Sequence, residues 1–290
     1  MPPFGGSNFM EKRKYDTVEE VKEAVEDYLL FLYTNGGDVN VHFSLKYENI
    51  YENQKTMLRL SSSGKCPRMI AYSIFYPEKA ELPSSRAISI FQLGHFLHEL
   101  ERHFISQVTF LKDMEKEVYL ELDNGAKVFG HVDGILELNG RDVLIDIKTL
   151  NDRAFKDMFR ELKRDYLYQL NAYMYATGVR EAYLWLYNKD TSHRAVVEVP
   201  FSQEIVDEIL YNFNKIVSSD ENNLPERMFS PQKEIRNGEY TNRLYLPWQC
   251  SYCAFTELCW PDFTKVIENG KVRYIKIEEE VMNDEDELFF

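Results

Sequence analysis

The sequence is short of the features that commit a chain to a secreted scaffold, a membrane or a repeat array. Cysteine is scarce, with four residues in 290. A chain this long with so few cysteines, and without a secretory segment, does not build a disulfide framework. The N-terminus lacks the charged-then-apolar layout of a signal peptide. No apolar run approaches a membrane span; the nearest, Tyr28 to Tyr33, is far too short. There are no internal repeats and no helicase motor. Positive charge is also short. Lys and Arg number 34 against 48 Asp and Glu, a formal net charge of −14. That balance argues against a protein that coats nucleic acid. These absences predict a soluble, cytoplasmic protein without membrane contact; a bacterial, archaeal or phage-infected cell is the expected setting. Its compartment must be reducing enough to keep thiolates.

What is present begins with a hydrophobic content of 44%, enough for a substantial core. The acid is unevenly spread, with Glu278, Glu279, Glu280, Asp284, Glu285, Asp286 and Glu287 in the last stretch. The rest of the chain is therefore less negative than the total. Three regions are expected: an N-terminal helical extension (1–60), a core (61–270) and an acidic, disordered C-terminal tail (271–290). Val18 to Tyr33 reads as an amphipathic helix broken by Asn35-Gly36-Gly37-Asp38. Arg86 to Phe110 reads as a second helix, with Phe91, Leu97 and Phe104 apolar at roughly helical spacing. Lys116 to Leu122 reads as a strand and Asp123-Asn124-Gly125 as a turn. Ala182 to Tyr187 and Ala195 to Val199 read as strands and Phe201 to Val217 as a helix. Asn222 to Thr241 is polar and reads as a loop. The order helix, three strands, helix, two strands predicts an α/β core with a mixed sheet.

The most informative triplet is Asp146-Ile147-Lys148, inside the apolar run Val143 to Thr149, which reads as a buried strand. Residues two apart on a strand point the same way. A buried face holds a carboxylate and an amine only if they bind a metal, a substrate or each other. A structural ion pair is the plain alternative. Val128 to Leu138 reads as the preceding strand with Asp133 in its middle. Asn139-Gly140-Arg141-Asp142 reads as the hairpin link between the two. One divalent ion can then bridge Asp133 and Asp146. Lys148 beside it would position or deprotonate a water, or neutralise a phosphate. His98 is the preferred nitrogen ligand and His95 the reserve, though either can be a hydrogen-bonded core histidine. A His–Asp–Asp set suits Mg²⁺ or Mn²⁺, the imidazole leaning it toward Mn²⁺.

Asp152 to Thr177 reads as one amphipathic helical region. Gln169 and Tyr173 are four apart and share a face. Arg153, Lys156, Arg160, Lys163 and Arg164 are either a solvated helix face or a cationic track for a phosphate backbone. The 19 Tyr and 19 Phe are read mainly as core.

In order, Gly94-x-x-x-His98, Gly130-x-x-Asp133, Asp146-x-Lys148 and Gln169-x-x-x-Tyr173 resemble the RecB-like branch of the PD-(D/E)xK nucleases, over residues 61 to 262. The resemblance implies a restriction-endonuclease-like core. It implies a metal held by His98, Asp133, Asp146 and the backbone carbonyl of Ile147, with Asp133, Asp146 and Lys148 catalytic. It also implies DNA contacts from Gln169 and Tyr173, to which the basic track adds Arg153, Lys156, Arg160 and Arg164. Asp146 stands where many relatives carry Glu, and the family tolerates both.

The cysteines extend the resemblance. Cys250-x2-Cys253-x5-Cys259 with a distant Cys66 is similar to the iron–sulfur nucleases of the AddB type, the eukaryotic flap-processing helicase–nuclease and the CRISPR-adaptation exonucleases. The resemblance implies a 4Fe–4S cluster on these four thiols. From the residues alone, zinc is the alternative, although zinc sites more often use two close pairs. Trp248 and Trp260 flank the triplet and are expected to shield it. The implied activity is a metal-dependent DNA exonuclease or flap nuclease, acting on single strands or ends in replication, recombination or repair. A non-catalytic DNA-binding or adaptor module on the same fold is the competing reading. The terminal Leu288-Phe289-Phe290 after acids resembles tails of single-stranded DNA-binding proteins. It is expected to dock a replication or recombination protein, or to compete with DNA for the basic track.

Overall fold

The computed structural model describes residues 12–44 and 58–278. In chain order the elements are α1 (Val18–Asn35), α2 (Pro67–Phe75), α3 (Ser85–Val108), β1 (Leu111–Lys112), β2 (Lys116–Glu121), β3 (Lys127–Val132), β4 (Gly134–Leu138), β5 (Arg141–Leu150), α4 (Asp152–Asp157), α5 (Arg164–Thr177), β6 (Ala182–Asn188), β7 (Arg194–Glu198), α6 (Gln203–Val217), β8 (Gln232–Arg236), β9 (Glu239–Tyr245), α7 (Trp248–Ser251), α8 (Thr256–Cys259), β10 (Thr264–Glu268) and β11 (Lys271–Ile277). The chain divides into two compact units. One comprises Met1–Lys65 and Pro83–Ser218, the other Cys66–Leu82 and Ser219–Phe290.

The first unit is built on a mixed five-stranded sheet of order β1-β4-β5-β6-β7. Only β5 and β6 are parallel; the other neighbours run antiparallel. Val143 to Ile147 of β5 are all buried, as an apolar run covered on both faces must be. Helix α1 starts with a capping box, Thr17 and Glu20 each taking the other's backbone N–H. Its Val18, Val21 and Val25 recur at helical spacing and enter the core with Phe104, Ile105 and Val108 of α3 and Val143, Ile145 and Ile147 of β5. The expected N-terminal helix therefore contributes to this core.

The second unit carries an antiparallel sheet of order β10-β11-β9-β8 over a small core of Leu246, Phe263 and Tyr274. Its hairpins turn at Asn237-Gly238 and Asn269-Gly270, with all four residues at positive φ. The segment expected to loop out, 222–241, thus supplies β8 and the start of β9. The tail expected from 271 begins with a strand; Glu279 to Phe290, including the terminal aromatics, lies outside the described residues.

Two further expectations change. The strand read from Val128 to Leu138 is broken at Asp133 into β3, which pairs with β2, and β4, which pairs with β5. The glycines at the break are steric necessities. A Cβ on Gly130 would lie 2.7 Å from Tyr173 Cε1, and one on Gly134 2.5 Å from Leu111 Cδ1. The helical region 152–177 is split into α4 and α5. The backbone of Arg164 and Asp165, where α5 starts, abuts Gly64, and a Cβ there would sit 2.6 Å from Asp165 Cα. Among the described residues no helix is long and apolar enough to cross a membrane.

Candidate active site

Strand β5 delivers Asp146 and Lys148 to one face, as period two requires. The two-residue hairpin Asn139-Gly140 sets the register that places Gly134 opposite Ile145. Asp133, one residue before Gly134, therefore reaches β5. Its Oδ2 accepts the N–H of Ile147 at 2.6 Å and lies 2.8 Å from Nε2 of His98. His98 arrives from α3, near the crossing where Gly94 meets Thr149.

The rotation of α3 is fixed by Glu101, three residues after His98 and fully buried. Glu101 accepts two bonds from the Arg194 guanidinium, at 2.8 and 2.6 Å, and one from Trp185 Nε1 at 2.9 Å. Breaking so buried a pair costs about 3–5 kcal/mol. Nothing local in the sequence announces this clamp, since its partners are more than eighty residues away.

Helix α5 closes the site. Gln169 donates through Nε2 to Asp146 Oδ1 at 3.0 Å and accepts at Oε1 from Lys148 Nζ at 3.2 Å. Lys148 Nζ also lies 2.6 Å from Asp146 Oδ2. That separation makes an ion pair, but its angles leave Oδ2 without a directed hydrogen bond although it is buried. Tyr166, not singled out in the sequence, lies under the ammonium, 5.2 Å from it to the ring centroid. Tyr173 is 2% exposed, packed beside Gly130 and 3.5 Å from Gln169 Nε2. Its ring is turned inward, away from any stacking role.

Burial dominates the electrostatics. It pushes the Asp146 carboxyl up to about 6, with the charge of Asp133 adding and that of Lys148 opposing. Burial also pushes Asp133 upward, but the His98 hydrogen bond and charge outweigh it and bring the carboxyl below its ordinary value. His98 is raised, burial losing to the bond and charge of Asp133. Lys148 is raised because Asp146 and Asp133 overcome its desolvation, so it stays an ammonium at neutral pH.

The remaining expected residues are more scattered. His95 is exposed. Arg153, Lys156 and Arg160 are exposed on and after α4, in pairs with Asp157 at 3.9 Å, Asp152 at 2.7 Å and Asp157 at 3.4 Å. Arg164 instead pairs with Glu208 at 2.5 Å and stacks over Tyr168. A second ligand-rich group, His98, Glu99 and Glu115, has atoms within 4.8 Å of one another. Arg102 already binds both of its carboxylates and reaches His98 Nδ1 at 3.1 Å, so that group has its cation.

In the second unit, Cys66 caps α2, Cys250 lies in α7, Cys253 follows it and Cys259 ends α8. All four are free and half-buried. Burial pushes the Cys250 thiol up to about 12, and Cys253, Cys66 and Cys259 add to the rise. Cys253 is raised by burial and by Cys66 and Cys259. The four sulfurs therefore sit within each other's electrostatic reach. Trp260 donates to Cys250, in line with a shielding role; Trp248 is 69% exposed and shields little.

No curated protein matches the chain. Among solved structures it is similar to SSO0001, at 18% identity and a TM-score of 0.48, covering 84% of this chain and 95% of that one. It is also similar to the alkaline exonuclease LHK-Exo of Laribacter hongkongensis, at 15% identity and a TM-score of 0.39, covering 58% and 89%. A phage-related exonuclease of Haemophilus somnus matches at 15% identity and a TM-score of 0.32, covering 61% and 90%. The profile of the PD-(D/E)XK nuclease superfamily matches residues 64–260, a span that contains His98, Asp133, Asp146, Lys148 and all four cysteines. With that match across two-thirds of its length, the chain belongs to the PD-(D/E)XK nuclease superfamily.

Proposed function

We propose that this protein is a metal-dependent deoxyribonuclease, an exonuclease or flap nuclease acting on single-stranded or end-containing DNA in replication, recombination or repair. The observation that carries the reading is the pair of contacts His98–Asp133, at 2.8 Å, and Asp146–Lys148, at 2.6 Å, brought to neighbouring strands with Asp146 fully buried. Two carboxylates beside an imidazole are the donor set of a hard divalent cation. Asp133, Asp146 and His98 would hold Mg²⁺ or Mn²⁺, together with the Ile147 carbonyl. A bound divalent ion supplies Lewis acidity at the phosphate and a more acidic water.

The chain's own residues do the rest. Lys148, beside Asp146 at 2.6 Å, would position or deprotonate a water, or neutralise phosphate charge. Gln169 ties Lys148 to Asp146 and keeps both in register. The exposed Arg153, Lys156 and Arg160 remain available to the phosphate backbone. Their surface ion pairs are worth at most about 1 kcal/mol each and yield to a polyanion.

The four cysteines belong to the same reading as ligands of a 4Fe–4S cluster. Cys250 and Cys253 are partly desolvated and are pushed up further by the other thiols, and such a set of mutually repelling thiolates suits a cationic iron centre.

The test is anaerobic purification followed by incubation with end-labelled single-stranded DNA and Mn²⁺ or Mg²⁺. Shortened products that vanish with EDTA support the reading. Tight DNA binding without cleavage under any divalent ion would replace it with a non-catalytic module.

A further inference from the structure

Just beyond β5, the chain places two phenylalanines among cations. Phe155 and Phe159 pack edge to face, ring centroids 5.5 Å apart. Phe159 is 57% exposed. Arg153, Lys156 and Arg160 alternate with them, their side chains 86%, 68% and 80% exposed. Residues 152–164 hold five cations against three carboxylates, in a chain whose total charge is −14. A lone exposed Phe is ordinary. An exposed Phe braced by a half-buried one and interleaved with exposed cations is not, because water favours neither the exposed ring nor a local excess of like charge.

The position is equally specific. Helix α4 is capped by Asn151, one residue after β5 ends. Strands β5 and β6 are the parallel pair, and ligands of open α/β sheets gather outside the carboxyl ends of such strands. From Lys148 to Phe159 the path is three residues of strand and eight of helix and turn, at most about 22 Å. An edge-to-face pair leaves one ring face open, and every base has a π-face to lay on it.

We propose that Phe159, braced by Phe155, is a stacking platform for the unpaired bases of single-stranded DNA, with Arg153, Lys156 and Arg160 following its phosphates. The proposal rests on the nuclease reading for its substrate class and adds a determinant of strand preference. Duplex DNA keeps its bases stacked inside and offers the platform nothing, so the site selects single strands.

The experiment measures binding without cleavage, using the full chain in EDTA with a labelled 20-nucleotide thymidine oligomer, a duplex of equal length and an abasic oligomer. Phe159→Ala is at the surface and leaves the fold intact. It should weaken binding to the thymidine oligomer about five- to tenfold. Affinity for the duplex and the abasic oligomer should not change. Phe159→Trp should restore affinity and add fluorescence quenched by the oligomer. An Ala variant within twofold of wild type on the thymidine oligomer overturns the proposal. So does an equal loss on the abasic oligomer, which would make the patch a backbone contact. So does unchanged DNA binding with loss of a co-purifying protein, which would make it a protein-docking face. Base-dependent loss in a protein that never cleaves would keep the platform and remove the nuclease reading.

Discussion

The carboxylate centre of the first unit and the thiol centre of the second solve the same problem in opposite ways. Around Asp133 and Asp146, charges of opposite sign alternate. His98 and the Ile147 N–H serve one acid, Lys148 and Gln169 the other. Around Cys250 the neighbours are more thiols, each raising the cost of ionising the next. The first centre is therefore organised before any ion arrives. The second has no counter-charge among its four thiols, so by themselves they oppose one another's ionisation. The lesson is that one chain can carry a polar centre whose charges the fold balances and another whose charges it leaves unbalanced.

Asp146→Ala gives the sharpest contrast. It should reduce cleavage by a thousandfold or more, about 4 kcal/mol of transition-state stabilisation, while single-stranded DNA binding persists. A variant that cleaves at the wild-type rate, in a preparation free of contaminating nuclease, breaks the comparison at its first term. Cys250→Ser should act on the other side. We expect loss of the visible absorbance of thiolate-bound iron and a stability loss of about 4 kcal/mol, by analogy with a cross-link closing a long loop. A colourless wild type with stoichiometric zinc would show that this centre closes around a smaller ion.

Lys148→Ala sharpens the first centre further. Turnover should fall about a hundredfold, whereas Mn²⁺ affinity by calorimetry at pH 8 should hold or tighten, because a cation beside the ligands has been removed. Loss of metal binding with chemistry intact at saturating metal would reverse the roles given to Lys148 and Asp146. The smallest effect is on pH. Asp146 titrates near 6 in the fold against 3.8 unexposed to it. Its stabilising protonation is complete below 3.8 and lost as pH rises through about 6. A divalent ion competes with that proton and with the one His98 retains. The thermal shift induced by Mg²⁺ should therefore be larger at pH 7.5 than at pH 5. Equal shifts at both would mean the ion binds elsewhere.

Much of the first centre was legible because its physics is local. Buried β-branched runs, the Asn139-Gly140 turn and the spacing of Asp146 and Lys148 each follow from neighbours in sequence. The break at Asp133 was not legible, because the alternating burial along β3 and the nearly continuous burial along β4 appear only in the fold: Phe129 is apolar yet exposed. The turn at Asn237-Gly238 was plainly written but lay in a segment whose polarity suggested a loop. The Glu101–Arg194–Trp185 clamp was not legible at all, because its partners meet only once α3 has docked on the sheet. The inward face of Tyr173 depended likewise on Gly130, forty-three residues earlier, lacking a side chain.

The break between β3 and β4 bears on how variants of this protein should be read. At the Gly134 end of β4, β5 loses its partner on that edge while staying paired with β6 on the other, and the Asp133 carboxylate accepts the Ile147 N–H in its place. A side chain has taken over a rung that the main chain abandoned. Replacing Asp133 by alanine therefore removes an acid and also unpairs a buried amide, at about 1–3 kcal/mol. Inactivity in that variant would not separate chemistry from architecture. Asparagine at 133 keeps an acceptor for the amide while discarding the charge. The same reasoning applies to Asp146, whose removal would unpair Lys148 and Gln169. For this chain the informative variants are therefore Asp146→Asn and Asp133→Asn, and alanine at either position also tests the architecture.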